Sequence, residues 1–168
     1  CSPEGAAELA AKFDLTVAND NAPGQIVITG AIEGIEGIEA AEPVDPTAGE
    51  DARRLRLKRL PVSGAFHSPL IDSAAVRLSA VLADVEFGDA SRVIANGSAQ
   101  VYVDPRRELA EELLGPVRFR ECLLKLWELG VTEFVEFEPG GVLTGLVKRT
   151  LPDARAVKVV DAVVEAAE

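Results

Sequence analysis

The chain has 168 residues, 48% of them hydrophobic, and a formal net charge of −11 from 28 acidic and 17 basic side chains. A chain this long buries about 70% of its unfolded surface, enough for one compact domain, while its acidic balance lacks the basic footprint that nucleic-acid binding needs. Cys1 and Cys122 fit neither a disulfide framework nor a zinc-ligand spacing, and no apolar run reaches bilayer length; the reading is a cytoplasmic chain with no metal, no cofactor and no membrane partner.

In chain order, Ser2 and Pro3 open a helix over 3–13 with Ala6, Ala7, Leu9, Ala10 and Phe13 at helical spacing. Leu15 to Ala18 and Gln25 to Thr29 read as strands around the turn Asn21-Ala22-Pro23-Gly24. A helix over 33–41 is weakened by Gly34 and Gly37, 42–51 reads as a loop, and Arg53 to Val62 as a strand. The order helix, strand, strand, helix, strand matches a ferredoxin-like split β-α-β unit whose first strand would precede residue 1. The absence of methionine and the opening Cys1-Ser2-Pro3-Glu4 suggest a start inside a longer frame.

Beyond Pro69 helices and strands alternate: a helix over 72–85 with Ala74, Leu78, Val81, Leu82 and Val85 inward, a strand at 93–96, and helices at 108–113 and 117–129. Gly130 ends the last of these, and Val131 to Phe137 reads as a buried strand. A helix at 142–151, a strand at 157–160 and a helix at 162–167 close the chain. The fold class is therefore α/β, with a partial, mostly parallel sheet of about three strands and an incomplete core.

The one histidine, His67, lies in Leu60-Pro61-Val62-Ser63-Gly64-Ala65-Phe66-His67-Ser68-Pro69-Leu70, at a strand end where ligands commonly sit. Histidine is the usual general base near neutral pH, yet a lone histidine is more often a loop hydrogen-bonding group. Pro139-Gly140-Gly141 before a helix could cradle a phosphate, but its spacing favours a plain strand-to-helix turn. Arg53, Arg54, Arg56, Lys58 and Arg59 form a dense basic run, either an attractor for an acidic partner or nucleotide phosphates, or a solvated strand face that discourages edge pairing. No Gly-x-Ser-x-Gly elbow occurs, and none of Ser63, Ser68, Ser73, Ser91 or Ser98 has the context of a nucleophile.

Four ordered segments carry a resemblance: Val17 to Gly30, Leu60 to Leu70, Leu113 to Phe119 and Pro139 to Arg149. Together they resemble the malonyl-CoA:acyl-carrier-protein transacylases of fatty acid synthesis and the acyltransferase domains of polyketide synthases, over the C-terminal part of the family's length. The resemblance implies a hydrolase-like acyltransferase core over 61–168 and the remainder of a ferredoxin-like small subdomain, first strand missing, over 1–60. It implies transfer of malonyl from malonyl-CoA to acyl carrier protein through a malonyl-serine ester, with the serine elbow, the oxyanion loop and the substrate arginine in the part that this chain lacks.

The same resemblance makes His67 the general base, oriented by the main-chain carbonyl of Glu112, where glutamine is more usual. Phe66 matches malonyl-selective members, since a ring there crowds an α-methyl group, and one methyl is worth about 1–3 kcal/mol of discrimination. Asn19 and Asn21 match the family's asparagines at the cleft mouth by position alone. Glu138 and Gly141 depart from the usual glycine and lysine. A polyketide synthase acyltransferase domain and a non-catalytic carrier-protein docking module are the alternatives. Alone, the chain is expected to expose apolar surface and to aggregate or fold in part.

Overall fold

The computed structural model describes residues 1–49, 54–137 and 140–159. Helix α1 (Pro3–Ala11) starts as its sequence dictates: Ser2 Oγ accepts the Gly5 N–H at 3.0 Å, and Pro3 occupies the first turn, where its missing donor costs nothing. Strands β1 (Leu15–Ala22) and β2 (Gln25–Gly30) form an antiparallel hairpin turned by Pro23-Gly24, with Gly24 at φ +69°. The ladder skips Ala18 and Asn21, two bulges that free those residues from pairing with β2.

Helix α2 (Ile32–Ala40) carries the two glycines that weaken it in sequence terms, and packing explains them. A Cβ on Gly34 would stand 2.4 Å from the Phe13 carbonyl oxygen, and one on Gly37 3.2 Å from the Phe13 ring. The cost in helix propensity, about 1 kcal/mol per glycine, is offset by the close approach of α2 to the 13–15 turn. Leu9, Ala10, Leu15 and Ile38 form the buried cluster there, flanked by Phe13, Ile28, Ile35 and Leu55.

The expected strand over 53–62 does not form; Arg53 lies outside the described residues, and beyond it Arg54 alone bridges Val44, with the Leu55 N–H donating to Pro43. Glu42, at φ +48°, turns the partner chain away and ends the ladder after that bridge. Leu55 reaches the core, and 56–63 runs exposed.

Helix α3 (Asp72–Leu82) follows a short 3₁₀ turn (Pro69–Ile71) and buries Ala75 and Leu82; Val81, expected inward, is 65% exposed. The expected strand at 93–96 reduces to one bridge, Ile94 to Val101, inside a tight reversal held by bonds between Ala95 and Gln100 and from Tyr102 to Val93. Helix α4 (Pro105–Glu111) begins three residues before its expected start. Asp104 accepts the Arg107 N–H, and Glu108 reaches back to the N–H groups of Val103 and Asp104, a reciprocal cap.

Helix α5 (Phe119–Glu128) ends at Gly130, φ +89°. Strand β3 (Glu133–Glu136), helix α6 (Val142–Thr150) and strand β4 (Arg155–Lys158) make a parallel β-α-β unit, the described part of the expected parallel sheet being this one pair of strands. Leu123, Val147, Leu151 and Ala156 pack α5 and α6 onto the pair, with Phe119 and Phe134. Contrary to the buried strand expected at 131–137, β3 leaves Val135 40% exposed, and Phe137, just past its end, is 80% exposed. The expected helix at 162–167 lies outside the described residues, and β4 begins two residues before the expected 157–160 strand. Among the described residues no helix is long and apolar enough to cross a membrane.

Candidate active site

His67 sits at the tip of the loop between 62 and the 3₁₀ turn, in the left-handed region at φ +58°. Ser68 fixes the loop beneath it: its hydroxyl donates to the Ala65 carbonyl at 2.6 Å and accepts the Leu70 N–H at 3.3 Å, and the residue is 1% exposed. Ser68 is thus a cap, its hydroxyl hydrogen spent on a carbonyl. Phe66 is half exposed, its ring lying over Gly64, where a Cβ would meet ring carbons at 3.0 Å.

The imidazole turns its Nδ1 toward two main-chain carbonyls, Glu112 O at 2.9 Å and Gly115 O at 3.2 Å. A carbonyl oxygen only accepts, so Nδ1 must carry the hydrogen and the lone pair of neutral His67 is on Nε2. No hydrogen bond to Nε2 is seen among the described residues. The arrangement is that of an oriented base with its acceptor nitrogen free.

The 112–118 segment that presents these carbonyls is itself anchored to the hairpin. Ala18, released from the β1–β2 ladder by its bulge, accepts the Val117 N–H at 2.8 Å, and Val117 accepts the Asp20 N–H at 2.9 Å. Asp20, 6% exposed, takes two bonds from Arg120 of α5, Nε at 2.9 Å and Nη2 at 2.7 Å to one carboxylate oxygen. Asn19 stands across the bridge from Val117, and Asn21 is the second bulge residue; the structure links Asn19 to the histidine's support through the backbone and gives no side-chain bond to either asparagine among the described residues.

Two further groups, to which nothing in the sequence pointed, converge on Glu112. The Tyr102 hydroxyl donates to Glu112 Oε1 at 2.8 Å, the Gly97 N–H donates to the same oxygen at 3.2 Å, and a Cβ on Gly97 would come within 2.9 Å of Glu112 Cγ. Burial, then the hydrogen bond to Glu112, push the Tyr102 hydroxyl well above its ordinary value near 10. The lone tyrosine of the chain was the available signal, but nothing in its spacing points to residue 112.

Elsewhere the candidate features close on themselves. The turn before α6 places Gly141 at φ +118°, and the carboxylate of Glu136 fills the start of the helix, accepting the N–H groups of Leu143 (3.1 Å) and Thr144 (2.8 Å) and the Thr144 hydroxyl (2.7 Å). These bonds, led by the Thr144 N–H, hold the Glu136 carboxyl down at about 2. The donors a phosphate would need are taken, so the plain-turn reading of Gly140-Gly141 stands; Glu138 and Pro139 lie outside the described residues. In the basic run, Arg54 pairs with Glu42 and Arg59 with Glu39, at 2.6 and 2.7 Å, as on a solvated face. Burial pushes the Cys122 thiol up to about 11, the wrong direction for a nucleophile. An open cavity of about 480 Å³ between α1, β2 and 54–57 has Ile26, Ile28, Ile38 and Leu55 in its lining but no residue of the 60–70 loop.

No family model matches the chain. Among curated proteins it is 42% identical over 152 residues to the malonyl CoA-acyl carrier protein transacylase of Bacillus subtilis, covering 86% of this chain and 45% of that protein. An acyl carrier protein S-malonyltransferase structure from Vibrio cholerae superposes with a TM-score of 0.83 at 33% identity, over 97% of this chain and 55% of that one. A type II polyketide synthase acyl carrier protein in complex with its malonyl-transacylase also matches, with a TM-score of 0.76 at 29% identity, over 94% of this chain and 50% of that one. The chain is related to the malonyl CoA-acyl carrier protein transacylases and spans about half the length of the curated relatives it matches.

Proposed function

We propose that this relative of the transacylases supplies the general-base half of a malonyl transfer site, the chemistry running from malonyl-CoA to the phosphopantetheine thiol of acyl carrier protein. The observation that carries this reading is the free Nε2 of His67, set by the bonds from Nδ1 to the carbonyls of Glu112 and Gly115. A nucleophilic serine, which no residue of this chain matches, gives its proton to Nε2 as its oxygen attacks the malonyl thioester carbonyl. The C–S bond breaks, the coenzyme A thiolate takes the proton back from His67, and a malonyl-serine ester remains. The carrier thiol then gives its proton to Nε2 and attacks the ester, and the serine alkoxide leaves with that proton. A backbone carbonyl in place of a carboxylate fixes the ring without adding a full negative charge.

In this reading residues 61–168 belong to a hydrolase-like acyltransferase core, and residues 1–60 are the remainder of a ferredoxin-like small subdomain. The α1-β1-β2-α2 order supports the latter, and the β-α-β unit with α5 supports the former. Phe66, beside the base and half exposed, crowds a branched acyl group and favours malonyl over methylmalonyl. Asn19 and Asn21 lie at the cleft mouth between the two parts.

The test is malonyl transfer from malonyl-CoA to acyl carrier protein by this chain rejoined to a transacylase N-terminal half, with His67→Ala alongside. Transfer that His67→Ala abolishes is the expected result. A well-folded hybrid that transfers nothing, or transfers equally without His67, overturns the proposal and leaves the carrier-protein docking module as the alternative.

A further inference from the structure

The Glu112 side chain has no need of partners if only its backbone carbonyl serves His67, yet two donors from one reversal grip it. Residues 93–102 fold back on themselves, Ala95 N–H to Gln100 O at 2.7 Å and Tyr102 N–H to Val93 O at 3.2 Å, which brings Gly97 and Tyr102 to the same carboxylate oxygen. The reversal is pinned to the start of α5. The Arg118 N–H donates to Asn96 O at 2.9 Å, Arg118 Nη1 donates to Ser98 O at 3.1 Å, and the Cys122 thiol points at Ala95 O at 3.5 Å. Glu112 itself is the residue after α4: its N–H still donates to Glu108 O at 2.9 Å, but its carbonyl lies past the helix end, where no helical N–H is there to hold it.

We infer that Tyr102 and Gly97 are positioning residues for His67: by holding the Glu112 carboxylate they fix the Glu112 peptide plane and so aim its carbonyl at Nδ1. The inference rests on the reading of His67 as an oriented base and extends it one layer outward. It accounts for the glycine, because a side chain at 97 would displace Glu112. It also accounts for tolerance of a carboxylate here: Oε1 alone does the accepting, and a glutamine amide oxygen would do the same.

The chain has one histidine and one tyrosine, so both groups are read without assignment. Long-range proton–nitrogen spectra of the rejoined enzyme, with this chain alone nitrogen-15-labelled by segmental ligation, report at alkaline pH which imidazole nitrogen carries the hydrogen. The parent is expected to show the Nδ1–H form. Tyr102→Phe and Glu112→Ala should each lower the ratio of Nδ1–H to Nε2–H by about fivefold, the loss of one hydrogen bond's worth of orientation, while Glu112→Gln keeps the parent ratio. Thermal melts establish that each variant is folded; should Glu112→Ala not fold, Tyr102→Phe, which keeps the ring, decides. A parent ratio in a folded Tyr102→Phe overturns the inference and leaves the histidine reading intact. An Nε2–H form in the parent overturns both.

Discussion

The His67 loop and the turn before α6 share a signature, an approach to a helix through glycine, and end in opposite states. At the turn before α6 the protein satisfies its own donors: Glu136 takes the N–H groups of Leu143 and Thr144 and the Thr144 hydroxyl. At the His67 loop one nitrogen is tied to carbonyls and the other is left without a partner among the described residues. Nε2 is not buried, so it is open to a reacting partner, and a group so placed on a restrained loop is where function concentrates. The lesson is that an anion-binding motif in sequence is a statement about donors, and its meaning turns on whether a neighbouring carboxylate has already used them.

The largest expected effect separates the two regions outright. In the rejoined enzyme His67→Ala should lower malonyl transfer by about 10²–10⁴-fold with the melting temperature nearly unchanged, whereas Glu136→Ala should lower the melting temperature by several degrees. If the histidine variant melts early or the glutamate variant keeps parental stability, the contrast between an open and a closed site fails.

Next in size is Asp20→Ala, which strands Arg120 and loosens the hairpin from α5; loss of a charged hydrogen-bonded pair this shielded should cost about 2 kcal/mol, read from urea denaturation. The pH dependence is smaller. Because the folded Glu136 carboxyl is held at about 2, below the ordinary glutamate value of 4.5, its stabilisation is present above 4.5 and is lost as pH falls toward 2. Melts across that window should show a shallower acid loss for Glu136→Gln than for the parent. Smallest is an anion effect: sulfate should raise the melting temperature of Glu136→Ala more than that of the parent, since two N–H groups at the helix start are freed only in the variant.

The sequence made the helices legible where caps speak plainly, as with Ser2-Pro3 and Gly130; His67 stood out as the one histidine, and Glu112 came only from the family resemblance. It overstated strands wherever apolar alternation lacked a partner: Leu55 and Leu57 alternate with basic residues, but Glu42 at a positive φ removes the neighbouring strand. Val93 to Asn96 failed likewise, because the chain doubles back after one bridge. Periodicity reports which side chains prefer burial and says nothing of what stands opposite. The Tyr102 and Gly97 contacts with Glu112 were illegible for a related reason, since a contact across 10 or 15 residues that include a reversal or a helix leaves no spacing to read.

His67 carries its imidazole on a left-handed backbone, a conformation that disfavours every side chain and suits glycine. Chemistry and conformational preference therefore pull in opposite directions at this one position. A population of variants selected for stability alone should drift here toward glycine or asparagine, and one selected for transfer should hold histidine against that drift. The identity of residue 67 among folded variants would thus record which pressure was applied.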